Sequence, residues 1–181
     1  MLNINLFGGP GTGKSTTAAG LFYEMKTNNQ QVEYIQEYAK ELTFGKDFTK
    51  LSDQLLILGE QHHRMFRLKN QLEYLIHDSP FVMGMTYLQD DPHLPKDIYA
   101  ELITTMFKSY DNLNIFLERN VEEHGYQEYG RSQSLDEAIA KDVEIKQMLI
   151  DNEIPFYTIK MGKTSVEDIS EILMYPIRGV N

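Results

Sequence analysis

The 181-residue chain has no cysteine, which excludes disulfides and thiolate metal sites and is compatible with a reducing cytoplasm. It has no apolar run approaching the roughly 20 residues needed to span a bilayer. Its first residues carry no basic segment leading into a signal-type apolar stretch. A soluble, cytoplasmic protein with no membrane contact is the expectation. Positive charge is scarce as well: 27 acidic residues stand against 17 basic ones, a formal net charge of −10. Such a chain repels a polyanion and lacks the basic footprint of a nucleic-acid binder, so DNA and RNA are disfavoured as partners. A local pocket for a small phosphorylated ligand escapes this argument, because net charge belongs to the whole surface and binding to a site. There is no internal repeat, low-complexity tract or linker, and with 41% hydrophobic residues the chain suits a single domain over 1–181.

What is present is an alternation of short strands and helices. LNINLF (2–7) reads as a strand, and KSTTAAGLFYEMKTNN after Gly13 carries Ala18, Leu21, Phe22 and Met25 at helical spacing. VEYI (32–35) reads as a second strand, residues 51–73 as one long helix opening at Ser52 or Asp53, and YLIHDSP as a third strand ending at Asp78 and broken by Pro80. A helix from Lys96, a strand NLNIFLE, a helix opening on a Ser134-x-x-Glu137 capping box, a strand FYTIK and a closing helix SVEDISEILMY complete the series. Such alternation calls for an α/β fold, a parallel sheet with helices on both faces. The least periodic stretch is Arg119 to Gln133.

Between the first strand and helix lies Gly8-Gly9-Pro10-Gly11-Thr12-Gly13-Lys14-Ser15-Thr16, which holds the complete P-loop pattern in its proper strand-to-helix context. Glycines let successive backbone N–H groups turn inward as an anion nest, and the helix N-terminus adds partial positive charge. Lys14 would reach the β- and γ-phosphates of ATP, and Ser15 would offer its hydroxyl to Mg²⁺. In an open α/β sheet the ligand crevice lies beyond the carboxyl ends of the strands. Two carboxylates fall there: Glu37 after the second strand and Asp78 after the third. Either can accept the proton of an attacking hydroxyl, and Asp78 can also orient the metal. The plainer readings are a helix-dipole role for Glu37 and a turn role for Asp78.

On the acceptor side, Gln61 and Arg64 are three residues apart on the long helix and expected to share a face, a pair suited to a base edge and a ribose or phosphate. His62 and His63 are adjacent and point about 100° apart, so packing or solvation is preferred to metal binding. Tyr34, Tyr38, Phe66 and Tyr87 could stack on a base or simply pack.

The P-loop, Glu37-Tyr38-Ala39, Asp78, and SYDNLNIFLE followed by an arginine-bearing polar segment together resemble the P-loop nucleoside and nucleotide kinases. Within these the chain is similar to the nicotinamide riboside kinase and NAD-regulator type and to phage-encoded small kinases. The resemblance implies a three-layer P-loop NTPase sandwich with a five-stranded parallel sheet ordered 2-3-1-4-5, and a lid at about 119–135 that closes on ATP. It also implies that Arg131 neutralises charge on the transferring phosphoryl group, with Arg119 a second candidate. Many nucleoside monophosphate kinases pair two lid arginines; here only Arg131 lies within 120–135.

The function expected is ATP- and Mg²⁺-dependent phosphorylation of a small nucleoside or nucleoside monophosphate, with a homodimer left open as the assembly. One alternative is a kinase acting on a modified, hydroxymethylated base in DNA, which the acidic balance opposes. Another is an ATPase or nucleotide-dependent regulatory module. The chain lacks the Asn-Lys-x-Asp base reader of GTP switches, and its third strand ends in Asp-Ser where motor ATPases carry Asp-Glu.

Overall fold

The computed structural model describes residues 1–89, 91–125 and 134–175. Five parallel strands, β1 (Leu2–Phe7), β2 (Val32–Ile35), β3 (Tyr74–His77), β4 (Asp111–Glu118) and β5 (Tyr157–Lys160), form one sheet in the order β2-β3-β1-β4-β5. This is the order the kinase resemblance implies. β1 lies at the centre, with Asn3 opposite Leu75 of β3 and Asn112 of β4.

The sheet is covered on both faces. Ile4, Leu6, Ile76, Ile115 and Leu117 pack on one side against α1 (Lys14–Thr27) and α8 (Ser165–Met174). Phe7, Leu75 and Phe116 pack on the other against helices α4 (Gln54–Phe66), α5 (Lys96–Lys108) and α7 (Leu135–Asp151). The alternation in LNINLF would ordinarily mark a strand with one wet face. Instead Asn3 and Asn5 are 1% and 2% exposed, and their amides are paired across the sheet. Asn5 donates to the side-chain oxygens of Asn112 at 2.9 Å and Asn114 at 3.0 Å, Asn3 donates to the Asp111 carbonyl at 3.2 Å, and a ring nitrogen of His77 sits 3.1 Å from Asn3 Oδ1. Burying these polar groups is tolerable because each finds a partner.

The long helix expected within 51–73 opens at Asp53, one of the two starts expected, as α4, and ends earlier, at Phe66. α2 (Tyr38–Phe44) and α3 (Phe48–Ser52) precede α4, because Asp47 and Asp53 each act as an N-cap. The Asp47 carboxylate accepts from the Lys50 N–H at 3.2 Å and the Asp53 carboxylate from the Leu56 N–H at 3.0 Å, so each starts a new helix. A 3₁₀ stretch over Phe81–Thr86, buried at Phe81, Val82 and Met83, follows β3, where no element was expected. The capping box opening α7 is present as the sequence predicts, with Glu137 N–H donating to Ser134 Oγ at 3.3 Å and Ser134 N–H donating to Glu137 Oε2 at 2.7 Å. A short helix α6 (Val121–His124) follows β4. Among the described residues no helix is long and apolar enough to cross a membrane.

Candidate functional site

The P-loop leaves the end of β1 and turns into α1 through three glycines in the left-handed region, with φ of 141° at Gly8, 79° at Gly11 and 93° at Gly13. Gly13 is the N-cap residue of α1, and its φ of 93° is a backbone conformation that strains any other residue; a Cβ there would also push on the mobile end of Met161, 2.6 Å away. The first N–H groups of α1 consequently point into the loop with no side chain capping them. Lys14 Nζ folds over the loop and donates to the carbonyls of Gly8 at 2.7 Å and Gly9 at 2.9 Å. Thr12 is buried and its hydroxyl donates to the Gly9 carbonyl at 3.0 Å. Burial pulls the Lys14 pKa down, while the nearby carboxylates of Glu37, Asp78 and Asp142 push it back up.

The two carboxylates expected beyond β2 and β3 meet beside this lysine. Glu37 is the N-cap residue of α2, yet its side chain accepts no capping hydrogen bond, so it is not spent on the helix. Asp78, 4% exposed, follows β3 directly. Its Oδ2 accepts from the Tyr34 hydroxyl at 2.6 Å, and its Oδ1 is buried with no hydrogen-bond partner among the described residues. Burial raises the pKa of Asp78, opposed by the Tyr34 hydrogen bond and by Lys14. Burial likewise raises Glu37, opposed by Lys14 and reinforced by repulsion from Asp78. The Tyr34 phenol is raised by its own burial and by the carboxylate it serves, so it holds its proton.

A cavity of about 580 Å³ joins the loop to these groups. Pro10, Gly11, Gly13, Lys14, Ser15 and Thr16 line one end; Gly8, Gly9 and Thr12 lie behind that surface. Glu37, Lys40, Asp78 and Ser79 line the middle. The far wall comes from α2, α3, α4 and the 3₁₀ stretch, with Phe44, Phe48, Leu51, Ile57, Met83 and Tyr87 as its apolar and aromatic part and Gln54 and Gln61 as its amides. Gln61 is anchored by donation to the Ser79 carbonyl at 3.3 Å.

Arg64 does not join Gln61 on this wall. It forks onto Glu41 with contacts of 2.8 and 3.0 Å, bonds Glu60 at 3.0 Å, and lies 5.0 Å over the Tyr38 ring, pinning α2 to α4. Phe66 is exposed beside His62, and among the described residues no cluster of three His, Cys, Asp or Glu side chains could hold a metal. Arg119 is buried against the outer side of the P-loop, where it ion-pairs with Asp142. Arg131 lies outside the described residues. Sequence reasoning passed over Lys40, Gln54 and Asp142. Gln54, Ile57 and Gln61 recur at helical spacing, a signal that could have marked the cavity face of α4. Asp142 sits in no motif.

A family model described as an AAA domain matches residues 3–168. No protein with a curated description matches the chain. Among solved structures, deoxyadenosine kinase from M. mycoides with bound dATP superposes with a TM-score of 0.63 at 18% identity, covering 95% of this chain and 99% of that one. The same enzyme with bound dCTP gives 0.61 at 18% identity, covering 95% and 98%. At that identity the likeness is one of fold: a P-loop kinase sandwich.

Proposed function

The chain belongs to the AAA domain family, a P-loop NTPase family, and on that footing we propose that it is a kinase moving the γ-phosphate of ATP to a hydroxyl of a small nucleoside. The observation that carries this reading is the continuous cavity with Lys14 and Ser15 at one end and Glu37, Asp78 and Gln61 beyond them. A module that only hydrolyses nucleotide has no need for a second wall of aromatic and amide side chains beyond the loop. The solved structures of similar fold hold dATP, dCTP, or the products dCMP and dCDP, which supports a nucleotide at the loop and a nucleoside-sized acceptor beside it.

The residues present fit ATP and Mg²⁺. Magnesium is commonly held by one or two carboxylates, a hydroxyl and the substrate phosphates, not by an all-protein cage. Ser15, at the start of α1, and Asp78, with its unpartnered buried oxygen, would hold it. When bound, the ion neutralises charge on the phosphates. Lys14 would leave its own loop carbonyls for the phosphate oxygens. Glu37 is the acceptor-side base and Asp78 the second carboxylate, each raised by burial above the ordinary carboxylate value, which favours Glu37 as the proton acceptor. Arg131 is retained as the lid arginine.

A nucleoside is favoured over a monophosphate by the charge on the cavity wall. Among its described residues only Lys14 and Lys40 are cationic, and Lys14 belongs to the donor end. Arg64, which would greet an acceptor phosphate, is already forked onto Glu41. Gln54 and Gln61 offer donors and acceptors to a base edge, with Phe44 and Phe48 at the rim to cover its face. The nicotinamide riboside type is included in this acceptor class.

The test is a panel of nucleosides, their monophosphates and a hydroxymethylated oligonucleotide, each incubated with ATP and Mg²⁺, with ATP hydrolysis followed in their absence. Product on a nucleoside and slow background hydrolysis are expected, both lost in Lys14→Ala. Brisk hydrolysis with no phosphorylated product would remove the kinase assignment, and product only on the oligonucleotide would transfer it to DNA.

A further inference from the structure

Asp142 stands on α7 and reaches across to the P-loop. Its Oδ1 accepts the Gly9 N–H, and its Oδ2 accepts the Nε–H of Arg119 at 2.7 Å. Arg119 donates through Nη2 to the Pro10 carbonyl at 2.7 Å and to the Ala138 carbonyl at 3.5 Å. The two side chains are 14% and 8% exposed respectively. Two consecutive loop residues are thereby tied, one by its N–H and one by its C=O, to a single ion pair between α7 and the residue after β4.

Gly9 takes part through its missing side chain. A Cβ there would lie 2.6 Å from the Ala138 carbonyl oxygen and 2.7 Å from Asp142 Oδ1. The P-loop pattern leaves this position unspecified, so contact with α7 is what requires glycine.

A carboxylate this close to a phosphate-binding loop opposes an anion unless its charge is matched, and at low exposure the opposition is poorly screened. Arg119 supplies the match, and its planar fork spans the carboxylate and the loop carbonyl together, as an ammonium would not. Asp142 and Arg119 also act on Lys14 with opposite sign, the first favouring its ammonium form and the second opposing it.

We propose that Asp142 and Arg119 are positioning residues, a charge-matched clamp on the Gly9–Pro10 backbone that keeps the remaining loop N–H groups open to a triphosphate. The proposal rests on the nucleotide-binding half of the function given above, and it assigns Arg119 a place behind the loop instead of on the transferring phosphoryl group.

The experiment titrates the full chain with a fluorescent, non-hydrolysable ATP analogue and Mg²⁺, for wild type, Arg119→Met, Arg119→Lys, Asp142→Asn, Asp142→Ala and the Arg119→Met/Asp142→Asn double variant. Thermal unfolding, hydrogen exchange at the Gly9 amide and kcat at saturating substrates are measured alongside. Arg119→Met leaves the Asp142 charge unmatched, and Kd for the analogue rises about tenfold or more. Adding Asp142→Asn removes that charge while keeping an oxygen for the Gly9 N–H, and most of the affinity returns. Arg119→Lys, which keeps charge without the fork, falls between wild type and Arg119→Met and carries the test with Asp142→Asn if the methionine variant does not fold. Exchange at the Gly9 amide quickens in Asp142→Ala, and kcat changes less than Kd throughout.

Three results would overturn the clamp: a wild-type Kd in both Arg119 variants, a double variant no tighter than Arg119→Met, or a fall in kcat larger than the rise in Kd. Failure of the wild-type chain to bind the analogue, with Lys14→Ala indistinguishable from it, would overturn the kinase function itself.

Discussion

The Tyr34 hydroxyl donates to Asp78 Oδ2 at 2.6 Å, joining the side chain of β2 to the carboxylate that follows β3. The carboxylate thereby keeps charge that burial would otherwise take from it. Tyr34→Phe removes the donor and lets the Asp78 pKa climb further. The acid limb of the kcat/KM profile shifts to higher pH, with a loss of about tenfold on its acidic side, the scale of one hydrogen bond to a charged group. A profile with an unmoved acid limb would separate Asp78 from the proton balance of the reaction.

Asp78→Asn is expected to trade activity for stability. The folded-state pKa of Asp78 is raised above its ordinary 3.8, so the folded chain holds a proton that the unfolded chain has released. The favourable contribution of the protonated form is therefore complete below pH 3.8 and is lost as pH rises through the raised folded pKa. Asparagine escapes that loss. The variant melts higher than wild type at pH 8, the gap narrows at pH 5, and phosphoryl transfer is abolished; thermal melts at the two pH values check the sign.

His77 makes the opposite contribution. Burial lowers its pKa from 6.5 to about 3, so it stays neutral between those values while the unfolded chain takes up a proton. Stability present above pH 6.5 is lost as pH falls toward 3, by up to about tenfold in the folding equilibrium per pH unit. His77→Gln, whose amide can still meet Asn3, should flatten this slope. Urea unfolding midpoints collected between pH 7 and 4 for both proteins measure it.

Arg64 braces the far wall of the cavity from outside. Its ion pair with Glu41 is half exposed on the glutamate side, so Arg64→Met should cost no more than about 1 kcal/mol of stability. Because α2 carries Thr43 and Phe44 of the cavity lining, loosening it should raise KM for the acceptor several-fold while leaving affinity for the ATP analogue unchanged. A comparable loss on the nucleotide side would show that α2 is coupled to the P-loop.

The donor end of the site was readable because a P-loop is local: Gly8 through Ser15 supply the bend, the nest and the lysine from consecutive residues. Glu37 and Asp78 were readable from their positions at strand ends, and the capping box at Ser134 from a four-residue pattern. The start of α4 at Asp53 was readable from its cap, whereas α3 before it was not. Arg64 illustrates what spacing cannot decide. A three-residue interval brings two side chains to neighbouring stripes of a helix, and the choice between cavity and Glu41 depends on α2, which was not foreseen. The asparagines of β1 and the pairing of Arg119 with Asp142 join residues from separate elements, and no local pattern encodes such meetings.

The cavity is built from two kinds of parts. Its reacting end hangs from the sheet: Asp78 follows His77, whose ring is fastened to Asn3, and Lys14 follows β1 within one loop. Its far wall is assembled from the separate helices α2, α3 and α4, the last two capped by Asp47 and Asp53, and a 3₁₀ stretch. Phe44 and Phe48 are exposed at the rim of the second set and take no part in the core on the sheet, so this architecture makes part of the guest's seat a replaceable fitting on a fixed machine, and libraries that vary these two positions are the place to look for a changed ligand preference.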